Sequence, residues 1–112
     1  AISNKYFPRG EMVNVVTLDP KIEQEIMGSV KQTEQGSYIT MDPDRTQNIM
    51  RSLRTEVTKL EELGSSPIIV TSPIVRMYFK HLTGDYFKDL VVVSYNEIES
   101  DVELQSVGMV TA

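Results

Sequence analysis

Cysteine is absent from the 112 residues, which excludes disulfides, thiol nucleophiles and cysteine-ligated zinc and fits a reducing compartment, with the cytoplasm as the expectation. Long apolar runs are absent too. None approaches the roughly 20 residues that a membrane-spanning helix needs, and the opening "AISNKYFPRGEMV" lacks a basic stretch followed by an apolar core, so no targeting segment is expected in this chain. Basic charge is in deficit. With 11 Lys and Arg against 16 Asp and Glu, the formal net charge is -5, which leaves no field for attracting phosphate backbones and argues against nucleic acid or anionic lipid as partners. Glycines form neither of the common phosphate-binding loops, and a single histidine, His81, offers no partner by spacing for catalysis or metal ligation.

Hydrophobic residues make up 40% and charged residues 24% of the chain, far from a disordered composition, and this length can bury one self-sufficient core. One domain is expected. The chain opens at Ala1 rather than at methionine, as a piece of a longer protein would.

An apolar run passes into Asp or Ser, then Pro, then a helical pattern in "VNVVTLDPKIEQ", "SYITMDPDRTQN" and "PIIVTSPIVRMY". Asp19, Asp42 or Ser72 can cap the first turn, and Pro20, Pro43 or Pro73 suits the first helical position, where its missing N–H costs nothing. The spacing predicts helices over 20–35, 43–63 and 73–82, the first through Ile22, Ile26 and Val30 with Gly36 as its stop. The second repeats Ile49, Met50, Leu53, Val57 and Leu60 at three and four residues, with Arg45, Arg51, Arg54, Lys59 and Glu62 opposite. Strands are expected over 13–18, 38–41, 68–71, 90–95 and 102–110. "LVVVSY" does not alternate, so it reads as a central strand covered on both faces. "VELQSVGMV" alternates and then slips phase, which points to a bulge near Ser106 or Gly108. The fold class is α/β, a small mixed sheet of about five strands with helices packed on it, ending in an edge β-hairpin.

The acidic link holding Glu97, Glu99, Asp101 and Glu103 lacks the spacing and the glycine of a calcium loop and reads as a solvated turn. His81 reads as a helix-end residue facing the dipole or water. Arg76, one turn into the third helix and near a strand's C-terminal end, stands where open α/β sheets gather ligands. An arginine tying the helix to a carboxylate or carbonyl fits the same position. A stand-alone small-ligand or catalytic domain would use Ser72, Arg76 and Tyr95.

The order "VVTLDP", "PIIVTSPIVR", "LVVVSYNEIE" resembles the FHIPEP family of flagellar type III export gate proteins, through Leu18, Asp19, Pro20, Ser72, Pro73, Arg76, Ser94, Tyr95, Glu97 and Ile98. The "SYNEI" form looks like the flagellar rather than the injectisome branch. The resemblance implies a longer membrane protein at the cytoplasmic face of the bacterial inner membrane, whose four-subdomain cytoplasmic part forms a nonameric ring. This chain would be the last subdomain over 13–112, preceded by a linker over 1–12. Implied partners are export chaperone–substrate complexes, export ATPase-complex components and other gate subunits, with no cofactor, metal or catalytic residue. Arg76, Tyr95, Asn96 and Glu97 become candidates for partner binding or structure. Pro8, which fixes its own φ, and Gly10, which permits angles other residues avoid, are expected to form a hinge.

Overall fold

Each of the three Asp-Pro or Ser-Pro junctions does begin a helix in the computed structural model, which describes residues 10–112. In chain order the elements are β1 (Met12–Leu18), α1 (Pro20–Gly28), β2 (Val30–Thr33), β3 (Gly36–Ile39), α2 (Pro43–Glu62), β4 (Ile68–Thr71), α3 (Pro73–Thr83), β5 (Val91–Ser94), a single 3-10 turn (Tyr95–Glu97) and β6 (Glu103–Val110). Asp19 accepts from the Lys21 N–H at 2.9 Å and Asp42 from the Asp44 N–H at 2.8 Å, two capping bonds that satisfy donors the first turn leaves orphaned. Ser72 makes no such bond with its side chain.

The α/β class is as expected, with helices packed on a small sheet, but the connections differ. Four strands form one parallel sheet in the order β5-β4-β1-β6, and β2 and β3 form a separate antiparallel pair. No hairpin joins β5 to β6. They lie at opposite edges, and the link between them crosses the sheet, as a connection between parallel strands must. Nor is β5 a central strand. Its run of valines is explained by the two sides of the sheet. On one side Ile22 and Ile26 of α1, Ile49, Leu53 and Leu60 of α2, and Val75 and Phe79 of α3 bury against Val16, Leu18, Ile69, Val92 and Val110. On the other, Val13, Val15, Ile68, Val70 and Val93 are covered by Ile98, Val102 and Leu104. The acidic link thus carries apolar residues at 98 and 102 that close the face left bare by the helices. A strand can lie at an edge and still be apolar on both faces when both faces are covered.

Helix α1 stops at Gly28, short of the expected 20–35, and Val30 belongs to a strand. The Ser29 hydroxyl donates to the Glu25 carbonyl at 2.8 Å, and "VKQT" then follows in extended form. Gly36, expected to end a helix, turns a hairpin at φ +126, a value that side-chain-bearing residues rarely adopt. The hairpin is mostly exposed, so the apolar periodicity needed to distinguish it from a helix tail is missing.

The phase slip in the last strand is a bulge. Val15 pairs with Ser106 and Val16 with Gly108, so Val107 is the extra residue. Glycine at 108 has a steric cause: a methyl group there would lie 1.8 Å from Glu56 Oε1. Glu56, buried on α2, presents its carboxylate to the bulge and is neutralised by Lys59, whose Nζ lies 3.1 Å away. The polar face of α2 is therefore only partly solvated. Arg45 makes a two-pronged contact with Glu25 at 2.8 and 2.9 Å, and the Arg54 guanidinium sits 4.9 Å from the centre of the Phe87 ring.

Candidate functional site

The C-terminal ends of parallel strands share one margin of a sheet, and chain segments leaving neighbouring strands meet there. Strands β4 and β5 are neighbours, with Thr71 opposite Ser94. The chain leaves β4 through Ser72 into α3, which places Arg76 one turn in. It leaves β5 through the 3-10 turn, which ends at Glu97. The adjacency brings these two together: Arg76 Nε lies 2.7 Å from Glu97 Oε1. The contact is a charge pair, since that buried Nε makes no directed hydrogen bond.

Glu97 is held from a second direction. Its Oε1 accepts from the Ser94 N–H and from the Ser94 hydroxyl, both at 2.9 Å, and the first of these, with the Glu97 backbone N–H turned to the Ser94 side chain, makes a capping box around the 3-10 turn. The hydroxyl also contacts Asn96 Oδ1 and has only one proton to share between the two oxygens. Burial pushes the Glu97 carboxyl up, but the two Ser94 donors and the Arg76 charge outweigh it and hold its pKa below the ordinary 4.5. Glu97 is thus an anchored anion rather than a proton donor near neutral pH.

Of the other sequence candidates, Asn96 joins this cluster through Ser94, while Tyr95 is half exposed and presents its ring at the surface. Ser72 belongs elsewhere. Its backbone N–H donates to Glu23 Oε2 at 2.7 Å, so a carboxylate from α1 already fills the anion position at the start of α3. Gly10 has φ +75 and lies two residues before β1. Pro8 lies outside the described residues. His81 lies on the exposed side of α3, lining a groove of about 600 Å³ with Tyr38 and Ile39 of β3, Tyr78 of α3, and Asp85 and Tyr86 beyond it. Sequence reasoning places Tyr38 and Ile39 in a strand but misses that groove, because nothing local brings that strand beside α3. The Ser94–Glu97 box was missed as well, although a serine followed three residues later by glutamate is the signal that could have found it.

A model of the FHIPEP family matches residues 1–103. The chain belongs to the FHIPEP family. Among its curated members, flagellar biosynthesis protein FlhA of Bacillus subtilis is 41% identical over 109 residues, covering 97% of this chain but only 16% of FlhA. Among solved structures, the Chlamydia pneumoniae CdsV protein in complex with CdsO superposes with a TM-score of 0.84 at 36% identity, over 97% of this chain and 32% of that one. Nonameric EPEC SctV-C superposes at 0.79 with 29% identity, over 96% and 32%. The chain therefore spans about a sixth of the family member FlhA and about a third of those structures. No helix among the described residues is long and apolar enough to cross a membrane.

Proposed function

We propose that this chain is a non-enzymatic docking subdomain of the flagellar type III protein export gate. The observation that carries the reading is its likeness, along nearly its whole length, to the part of CdsV in the complex with CdsO. In this reading it is the last cytoplasmic subdomain of a longer membrane protein at the cytoplasmic face of the bacterial inner membrane. Its partners are a component of the export ATPase complex, export chaperone–substrate complexes and neighbouring gate subunits, in a nonameric ring like that of SctV-C. The geometry of the strand ends supports docking over catalysis. The Arg76 charge is paired with Glu97 and the Ser72 N–H is bonded to Glu23, so the cation and the helix-start donor that a small anionic ligand would use already face the protein's own carboxylates.

The subdomain must then be carried by a joint. Gly10, with its positive φ and open surroundings, is where the chain can swing as the ring opens and closes, together with Pro8 in the linker over 1–12. The test uses the parent gene. Deleting residues 13–112 should abolish export of late substrates while the parent still inserts in the membrane, and Gly10→Pro should impair export in a chain that still folds. A distance label at Lys59 and another on the preceding subdomain should report several orientations in the parent and fewer in Gly10→Pro. Normal export from both variants would overturn the proposal.

A further inference from the structure

The outer side of α3 is apolar where a solvated helix would be polar. Ile74 is 66% and Met77 61% exposed, and they follow one another at a spacing of three with His81 next, so they form one stripe. A groove borders each end of the stripe. Near the start of α3, Ile74 shares a groove of about 360 Å³ with Met27 and Gln24 of α1. Toward its end, Met77 lies in the groove of about 600 Å³ with Tyr38 and Tyr86, both about half exposed. Both grooves are lined by α3, whose 11 residues span ~16 Å at the helical rise; taken together they are the trough along α3. Monomeric proteins rarely leave methionine, isoleucine and tyrosine clustered at the surface, and these side chains are the usual anchors of recognition surfaces.

The charge along the trough is one-sided. Its walls hold the carboxylates of Glu23 and Asp85 and no lysine or arginine, the exposed Lys80 of α3 lining neither groove, within a chain of net charge -5. Of the basic side chains of α2, Arg45, Arg54 and Lys59 are turned toward Glu25, Phe87 and Glu56, and Arg51 toward Asn48. We infer that the trough along α3 docks an amphipathic helix from a partner protein, with an apolar stripe on the contact face flanked by lysine or arginine. A helix of about four turns would lay residues at i, i+3, i+4 and i+7 over Ile74, Met77 and the two tyrosines. Its basic flanks would meet Glu23 and Asp85. One carboxylate oxygen of Glu23 accepts from Ser72, and a lysine would meet the other. The inference rests on the docking reading and gives it a surface distinct from the Arg76–Glu97 cluster.

The test is a fluorescence-anisotropy titration of the full chain with two designed helical peptides that share one leucine and methionine stripe, flanked by lysine in one and glutamate in the other. The lysine peptide should bind about tenfold more tightly or better, and its advantage should shrink with salt. Met77→Asp and Ile74→Asp should each weaken it about tenfold. Both add negative charge, so the loss can come only from the apolar contact, and both alter exposed positions in a chain whose fold circular dichroism can verify. Leu63→Asp, at an exposed apolar position after α2, should leave binding unchanged. Equal affinity for the two peptides, no binding of either, or indifference to the α3 variants would overturn the proposal. So would a dimer in sedimentation that Met77→Asp dissolves, because the occupant would then be a second copy, or binding to neutral lipid vesicles that competes with the peptide. If the peptide fails while the chain still binds an export component, docking survives and only this surface falls. If both fail, the docking reading falls with it.

Discussion

Replacing Phe79 with alanine is expected to cost about 3–5 kcal/mol of folding stability, the usual range for emptying a fully buried aromatic site. Phe79 is 0% exposed and projects from α3 into the cluster formed by α1, α2 and one face of the sheet. No other side chain of the described residues buries as much volume so completely. The cavity cannot collapse easily, because its walls belong to three helices and a sheet whose positions are fixed by other contacts. A domain of this size has roughly 5–15 kcal/mol in total, so the variant should lose about a fifth of its stability or more. Urea unfolding should show a large fall in midpoint with little change in slope. Met77→Ala, two residues earlier on the exposed side, should stay within about 0.5 kcal/mol. A loss below 1 kcal/mol for Phe79→Ala would mean that α3 does not pack on the sheet as described.

Removing the Glu97 carboxylate should have the next largest effect, about 1–3 kcal/mol, because it strands donors rather than deleting one contact. Ser94 is buried, and without Glu97 its N–H loses its acceptor while the buried Arg76 Nε loses its countercharge. The effect carries a pH signature. Since the folded Glu97 pKa lies below its ordinary 4.5, its contribution is fully present above the ordinary value and is lost as pH falls through the folded one. Glu25 behaves likewise. Its hydrogen bonds to the Arg45 guanidinium lower its pKa despite the opposing effect of burial. Wild type should therefore lose stability progressively below about pH 4.5, and Glu97→Gln should flatten part of that slope, leaving the Glu25 part. An unchanged slope in urea midpoints between pH 6 and 3 would show that Glu97 is not held as its surroundings imply.

The sequence showed what chemistry the margin of the sheet contains but not how it is arranged. Arg76 and Glu97 stood out separately, one by its place after a strand and one by its motif. Their pairing depends on β4 and β5 being neighbours, a long-range fact with no local signal. The same gap explains the misplaced edges. "VVVS" reads as central because it is apolar on both faces, and only the structure reveals that Ile98 and Val102 cover one of them. Helix α2 was legible to within a residue, since its stripe repeats for five turns and Pro and Gly mark its ends. The β2–β3 hairpin was not, because an exposed hairpin has no buried face to impose alternation. The bulge was legible from the phase slip alone, but its cause was not. Gly108 is tied to the buried Glu56 carboxylate, a residue fifty-two positions earlier on another element.

The chain is proposed to hold other proteins and to transform nothing. The most direct measurement is a calorimetric titration of the purified chain with the export ATPase-complex component encoded in the same genome, run beside an assay for hydrolysis of nucleotide and ester substrates. Saturable binding of that component at one per chain, with no turnover above buffer, is the expected result. A folded chain that binds neither that component nor a chaperone–substrate complex, and that turns over a substrate in a manner abolished by His81→Ala or Arg76→Ala, would contradict it.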